Sequence, residues 1–308
     1  MRVAFMGSPE FAVPCLRAVA AAHEVVLVVS QPDKPAGRGG ELRAPAVKVA
    51  AQELGLRVFQ PKSARNGELL QALRDANVEV AIVVAYGKIL PKDVLEAPRL
   101  GCINVHGSLL PKYRGAAPVQ WAVIDGEAET GVSIMQLDEG MDTGPVWAER
   151  RVPIGPAETS GELLDRLAPI GAAALVEALP VIASGSKQPV AQDHARATHA
   201  KMLDKTDGAI DWTQPARAIA ARIRGVDPWP GAYATLRCQP VKLFRATVSD
   251  RTAAGGVGSV LAIDKDGVYV SCTGGVVVIR EVQAAGKKRM PAAAFASGRG
   301  IAVGDKLT

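Results

Sequence analysis

The chain has 308 residues, 48% of them hydrophobic and 22% charged, with a net charge of +5; this composition is that of an ordinary globular protein of about two domains. No stretch approaches the ~18 consecutive apolar residues that a membrane helix needs, and Gly7 and Pro9 break the first apolar run too soon for a signal peptide, so we expect a cytoplasmic protein without a membrane partner. The four cysteines and four histidines are scattered, which predicts reduced thiols and no metal site.

Strand and helix patterns alternate through the first half of the chain. A short buried strand, RVAFMG, precedes the helical SPEFAVPCLRAVAAA, for which Ser8 is the predicted N-cap. The alternation continues through EVVLVVS, APAVKVAAQELG, LRVFQ, ARNGELLQALRDAN and VEVAIVVAYG. Continuous apolar strands separated by helices predict a doubly wound, mostly parallel, Rossmann-like α/β sheet, whose ligands bind beyond the carboxyl ends of the strands.

The first strand-to-helix turn argues against one common use of such a sheet. It reads GSPEFA, without the second glycine that lets a backbone approach a pyrophosphate closely. A dinucleotide-dependent oxidoreductase is therefore a weak alternative.

The connection over residues 31–48, QPDKPAGRGGELRAPAVK, is long and basic. A connection of about 2–6 residues would suffice between a strand and a helix. The segment contains four positive side chains: Lys34, Arg38, Arg43 and Lys48. Composition alone favours a flexible surface loop. A loop of this charge at the carboxyl end of the second strand can also reach an RNA end near a site.

A strand in the middle of the chain, GCINVH, ends in two polar residues. Asn104 and His106 are two positions apart, so their side chains project from the same face. An Asn amide can donate to an oxygen that becomes negative, and a His can donate or accept a proton near neutral pH. A capping Asn and a structural His remain the alternative.

The turn after this strand, GSLLPKYRG, is unusually apolar. Leu109 and Leu110 before Pro111 form a stiff turn with apolar side chains, which suits a flat heteroaromatic ring. Lys112 and Arg114 can meet an anionic substrate or simply be solvated.

A second polar loop, LDEGMDTGP, follows the next strand. It contains Asp138 and Asp142, and one carboxylate near Asn104 and His106 would supply an acid or base. A solvated acidic turn is the alternative.

The last hundred residues differ from the rest in charge. Residues 1–200 contain 20 Lys and Arg against 22 Asp and Glu, whereas residues 201–308 contain 16 against 9. After a helix over 159–185, we predict a linker over 191–206 and a small, OB-like antiparallel β-barrel over 207–308, joined to a catalytic domain over 1–190. A basic barrel of this kind is a common RNA platform, with a solvated basic face as the alternative.

The two loops together resemble a known family. NVHGSLLPKYRGAAP and LDEGMDTGP are similar to the motifs of the 10-formyltetrahydrofolate-dependent formyltransferases, and the similarity extends from MGSPEFAVPCL to the basic end. The two-domain length and the 31–48 loop are most similar to the members that formylate methionyl-initiator tRNA. The resemblance implies the formyltransferase fold, 10-formyltetrahydrofolate as co-substrate and initiator tRNA as partner; nothing in the pattern demands more than a monomer.

The resemblance also implies roles for individual residues. Asn104, assisted by His106, would hydrogen-bond the formyl oxygen, and Asp142 would accept the proton of the attacking amine through a water molecule. The implied folate contacts are Ser108, Leu109, Leu110, Pro111, Tyr86, Gly87, Ile89 and Asp138. The implied tRNA contacts are Lys34, Arg38, Arg43 and Lys48.

Three other functions remain open on the sequence. A sugar-nucleotide formyltransferase would share the motif but not need the basic loop. A glycinamide ribonucleotide formyltransferase would leave residues 201–308 without a role. A non-enzymatic RNA-binding protein would explain the basic barrel but not the Asn104, His106 and Asp142 set.

Overall fold

The computed structural model describes residues 1–36 and 41–308, and the chain divides into two compact units. The first comprises Met1–Gly115, Gly131–Val152 and Leu164–His199, and the second comprises Ala116–Thr130, Pro153–Leu163 and Ala200–Thr308. The predicted boundaries at residues 190 and 207 stay predictions. The units are not continuous ranges of sequence, because two short segments, Ala116–Thr130 and Pro153–Leu163, group with the C-terminal part of the chain.

The elements up to residue 153 follow the predicted alternation of strands and helices. They are β1 (Arg2–Gly7), α1 (Val13–Ala22), β2 (Glu24–Val29), β3 (Lys34–Ala36), β4 (Glu41–Arg43), α2 (Ala46–Glu53), β5 (Val58–Phe59), α3 (Glu68–Asp75), β6 (Val80–Val84), α4 (Lys92–Leu95), β7 (Cys102–His106), β8 (Arg114–Gly115), α5 (Pro118–Ile124), β9 (Glu129–Gln136) and β10 (Val146–Pro153).

The first unit is built on a seven-stranded sheet with the order β10-β9-β7-β6-β1-β2-β5. The pairs β5/β2, β2/β1, β1/β6 and β6/β7 are parallel, and β7/β9 is antiparallel. Every residue of β6 is buried, which explains its continuous apolar sequence. The predicted mostly parallel, doubly wound sheet is confirmed.

The start of α1 differs from the prediction. A short 3-10 helix covers Glu10–Ala12, and α1 begins at Val13 with Pro14 in its first turn, where a missing N–H costs nothing. Ser8 therefore does not cap the helix; its hydroxyl oxygen accepts from the backbone N–H of Gln31 at 3.2 Å.

The long connection over 31–48 contains a two-stranded antiparallel ribbon, which sequence analysis interpreted as a loop. In this basic ribbon, β3 pairs with β4 in the register Lys34 to Arg43 and Ala36 to Glu41. Arg38 lies outside the described residues.

The long helix α6 (Ser160–Ser184) corrects the expectation that no stretch is long and apolar enough for a membrane helix. By length and composition it could cross a membrane, with a mean hydropathy of 1.8 over its best window, half of which is buried. Its Leu167, Leu175 and Leu179 are fully buried. Gly171 lies so close to β7 that an added Cβ would stand 2.9 Å from a methyl carbon of Val105. These contacts are those of a core helix.

The second unit contains the remaining elements. They are α7 (Ala216–Gly225), β12 (Ala232–Leu236), β13 (Gln239–Ser249), β14 (Val260–Asp264), β15 (Gly267–Cys272), β16 (Gly275–Ala284), β17 (Met290–Pro291) and α8 (Ala292–Ser297), while the two-residue β11 (His199–Ala200) has one residue in each unit. Helix α5 belongs to this unit, because an added Cβ on Gly225 of α7 would stand 2.4 Å from the side chain of Ile124.

Five strands of the second unit form an antiparallel sheet with the order β12-β13-β16-β15-β14, and β17 pairs with β16. The C-terminal residues bond to both edges of this order: Thr308 N–H donates to Thr235 O of β12 at 2.9 Å, and Leu307 N–H donates to Gly258 O, just before β14, at 2.8 Å. The predicted antiparallel sheet is confirmed, and the OB-like barrel stays a prediction.

Candidate active site

Three polar side chains meet at the carboxyl-terminal part of β7. Asn104 Nδ2 lies 3.5 Å from Asp142 Oδ1, and His106 Nδ1 lies 3.6 Å from Asp142 Oδ2. We call these three residues the polar corner. They are the residues that the sequence predicted to act together, and they lie where this class of sheet places its ligands.

The orientation of the His106 ring is set by a backbone group. His106 Nε2 lies 2.9 Å from the carbonyl oxygen of Tyr113. Because a carbonyl only accepts, we assign the proton to Nε2, so the neutral ring presents its Nδ1 lone pair towards Asp142. A proton released here can be shared between Nδ1 and the carboxylate.

Asp142 is held in a specific conformation. The backbone N–H of Gly115 donates to its Oδ2 at 2.8 Å. Its backbone has φ +52, a left-handed conformation that aspartate adopts less readily than glycine but more readily than most other residues. The surrounding contacts must therefore stabilise this loop.

Two residues that sequence analysis did not assign to the site support this loop. Gln192 Nε2 donates to the carbonyl oxygens of Asp142 at 2.8 Å and Gly144 at 2.7 Å, and Arg114 donates to Gln192 Oε1. Arg114 is only 4% exposed, so of the two alternatives for this residue the solvated charge is excluded. Gln192 lies in the segment predicted as a linker, and its local sequence gives no sign of this contact.

The apolar turn after β7 is locked from within. The buried hydroxyl of Ser133 donates to Ser108 O at 2.7 Å and accepts from Leu110 N–H at 3.1 Å. Ser108 Oγ in turn donates to Lys112 O at 2.6 Å. Ser108 and Leu110 are therefore buried parts of the turn, while Leu109 and Pro111 are half-buried.

The other residues predicted to bind folate differ in exposure. Ile89 is 67% exposed and Gly87 is exposed with φ +75, whereas Tyr86 is 1% exposed and packs in the core. Burial raises the pKa of the Tyr86 phenol to about 12. Asp138 is exposed, and its Oδ1 accepts from the Thr143 hydroxyl at 2.6 Å.

The charges predicted to contact tRNA fall into two kinds. Lys34 and Arg43 are exposed on the basic ribbon, and Lys34 Nζ donates to Gln31 Oε1 at 2.7 Å. Lys48 is half-buried and forms an ion pair with Asp33 at 2.7 Å. A hydrogen bond from Gln60 and the bond from Lys48 hold the pKa of Asp33 below its usual value.

Over residues 1–36 and 41–308, no group of three or more His, Cys, Asp and Glu side chains is arranged to hold a metal ion. The groups that the polar corner offers to a substrate are an amide, an imidazole and a carboxylate.

Both parts of the chain match known families. Residues 1–179 match the family described as formyl transferase, and residues 202–300 match the formyl transferase C-terminal domain. The methionyl-tRNA formyltransferase of Sorangium cellulosum is 48% identical over 306 residues, covering 99% of this chain and 98% of the relative. That of Desulfotalea psychrophila is 48% identical over 302 residues, covering 98% and 94%.

Solved structures share the fold at low sequence identity. WlaRD, a sugar 3N-formyl transferase, has a TM-score of 0.69 at 17% identity and covers 94% of this chain and 99% of its own. HypX from Aquifex aeolicus, in complex with tetrahydrofolic acid, has a TM-score of 0.65 at 19% identity and covers 96% of this chain and 46% of its own. With its two domain matches and full-length relatives, the chain belongs to the formyltransferase family, among the methionyl-tRNA formyltransferases.

Proposed function

We propose that this chain transfers the formyl group of 10-formyltetrahydrofolate to the α-amine of methionyl-initiator tRNA, in the cytoplasm and as a monomer. One observation carries this proposal: an amide, an imidazole and a carboxylate meet within 3.6 Å at the end of β7. These are the groups that acyl transfer to an amine requires, namely a donor for the developing oxyanion and an acceptor for the amine proton.

Asn104 supplies the oxyanion donor in this mechanism. Its amide N–H is only weakly engaged, because 3.5 Å is at the limit of a hydrogen bond to Asp142. The amide is therefore free to bond the formyl oxygen as negative charge develops on it. His106 lies on the same strand with its Nε2–H bonded to the Tyr113 carbonyl, so it assists through Nδ1, as a proton acceptor.

Asp142 supplies the proton acceptor. A free α-amino group has a pKa of about 7.7–8.0, so much of it is protonated and unreactive at neutral pH. The Asp142 carboxylate, through a water molecule, accepts the proton that the amine loses on attack. Its Oδ2 lies 3.6 Å from His106 Nδ1.

The donor supplies an activated formyl group on N10 of the folate. For its pterin ring we propose the half-buried Leu109 and Pro111, together with Gly87 and the exposed apolar side chain of Ile89. Asp138 is a candidate for polar contact. Ser108, Leu110 and Tyr86 are buried, so we propose that they shape the wall of this site instead of exposing side chains to the ligand.

For the tRNA we propose the basic ribbon and residues 201–308, which contain 16 Lys and Arg against 9 Asp and Glu. Lys34 and Arg43 are exposed and available to phosphates. Arg38, outside the described residues, is proposed by resemblance, and Arg38→Ala should raise KM for tRNA without changing folate affinity. The reverse pattern would exclude Arg38 from RNA binding.

One assay tests the function against its rivals. Purified protein is mixed with 10-formyltetrahydrofolate and, in separate reactions, with methionyl-tRNA, an amino-sugar nucleotide or glycinamide ribonucleotide. We expect formylation of methionyl-tRNA alone, at a rate that falls steeply with salt because phosphate contacts release counterions. Formyl transfer to either small acceptor in place of tRNA would refute the proposal.

A further inference from the structure

A chain of buried polar groups leads from Arg114 to Asp142. Arg114 Nε and Nη2 both donate to the same oxygen, Gln192 Oε1, at 3.1 and 2.7 Å. Gln192 Nε2 then donates one hydrogen to Asp142 O and the other to Gly144 O. The side-chain amide of Gln192 therefore makes four hydrogen bonds, and both of its N–H groups donate to the loop that carries Asp142.

The side chains that form this series of hydrogen bonds are buried. Arg114 is 4% exposed and Gln192 is 8% exposed. Arg114 Nη2 also lies 3.1 Å from His194 Nδ1, two residues beyond Gln192. Both ends of the interaction with segment 192–194 are therefore fixed by the same guanidinium.

We propose that Arg114 and Gln192 are positioning residues that set the Asp142 carboxylate for its part in formyl transfer; this inference rests on the proposed function of Asp142. Neither residue is assigned a contact with the reacting groups. They act by fixing the backbone of the loop that carries the carboxylate.

The physical reason lies in the backbone of the loop. Asp142 adopts φ +52, so without support its loop can relax to a more favourable conformation. The cation polarises the Gln192 amide, which strengthens its two donations to the carbonyls. A displacement of the carboxylate by about 1 Å is enough to lower a rate by about 10²-fold.

The first test is Gln192→Glu. The new carboxylate keeps the contact with Arg114, so the variant should fold, but it cannot donate to Asp142 O and Gly144 O. We expect kcat to fall by about 10–100-fold, with KM for folate and tRNA unchanged. An unchanged kcat would overturn the proposal.

The matched control is Gln136→Glu. Gln136 has the same bonding pattern, because its Nε2 donates to Leu100 O at 3.4 Å and Cys102 O at 3.2 Å while its Oε1 accepts from Trp147 Nε1 at 3.3 Å. Its bonds do not reach the Asp142 carbonyl. Gln136→Glu should keep the wild-type kcat. An equal decrease of kcat in both variants would mean that the cause is general destabilisation, and it would overturn the proposal.

A second readout does not depend on activity. The Gly115 N–H donates to Asp142 Oδ2, so its amide hydrogen exchange reports whether the carboxylate stays in place. We expect faster exchange at Gly115 in Gln192→Glu but not in Gln136→Glu. If the wild type does not formylate methionyl-tRNA, the proposed function fails, while unchanged exchange at Gly115 would overturn the positioning role by itself.

A double-mutant cycle separates Arg114 from a substrate contact. Arg114→Met, Gln192→Met and the double variant replace the buried pair by apolar chains of similar length, an exchange that is often tolerated. If Arg114 acts through Gln192, kcat of the double variant falls no further than that of the worse single variant. Additive decreases in kcat together with a raised KM would show a direct substrate contact and overturn the proposal.

Discussion

Two regions of the first unit differ in how firmly the fold holds their polar side chains. In the polar corner, the His106 ring is oriented by a backbone carbonyl and the Asp142 carboxylate accepts a backbone N–H. On the basic ribbon, Lys34 and Arg43 are exposed, and the bond of Lys34 to Gln31 lies at the surface. The first region is fixed by the fold, and the second presents charge to solvent.

The difference matches what the two proposed tasks demand. Groups that stabilise a developing charge act only if they are already placed, since reorganising them would cost the energy they supply. Attraction of a long polyanion depends on the number of positive charges more than on their geometry. We therefore expect changes in the polar corner to alter kcat and changes in the ribbon to alter KM for tRNA and its salt dependence.

The largest effect is expected for Asp142→Asn. The amide cannot accept the amine proton, and removal of a general base typically costs about 10²–10⁴ in rate. The remaining activity should rise with pH up to about 8, as the α-amine itself loses its proton. Single-turnover formylation from pH 6 to 9 would measure this, and a variant with wild-type kcat and pH dependence would remove Asp142 from the mechanism.

Asn104→Ala should follow, with a decrease of about 10²–10³ in kcat, the usual cost of removing one oxyanion donor. Folate binding, measured by fluorescence or calorimetry, should be retained. Asn104→Asp is the informative companion, because it keeps the size but places a negative charge where the oxyanion forms. Near-normal turnover in either variant would contradict the assignment.

The polar corner was predictable partly from strand positions and partly from the family resemblance, which implied Asp142 in a loop that also contains Asp138. Asn104 and His106 share a face by strand alternation, and Asp142 follows the neighbouring strand β9. Gln192 was not predictable, because it arrives from fifty residues away in sequence and nothing near it marks a contact. The ribbon was missed as well, since the pairing of Lys34 with Arg43 has no strong strand pattern.

Removing the exposed ribbon charges should have a smaller effect that falls on binding. Lys34→Ala with Arg43→Ala should raise KM for tRNA and leave kcat unchanged, and it should reduce the slope of log K against log salt by about 0.7–0.9 for each phosphate that is no longer neutralised. Arg65→Ala with Arg74→Ala removes the same charge from exposed sites elsewhere in the unit. Equal behaviour of the two pairs would mean that net charge, not the ribbon, attracts the RNA.

The smallest effect concerns Lys48, which combines features of both regions. Its ion pair with Asp33 withholds its charge from solvent, so Asp33→Asn should release it and lower KM for tRNA, with a salt slope steeper by about 0.7–0.9. The pKa of Asp33 is lowered in the folded state by Gln60 and Lys48, so its contribution to stability is present above the unfolded pKa of about 3.9 and is lost as the pH falls through the lowered value. The Tm difference between wild type and Asp33→Asn should therefore be constant at neutral pH and shrink in acid. A raised KM for tRNA in this variant would instead mean that Lys48 serves the ribbon through its ion pair and not through RNA.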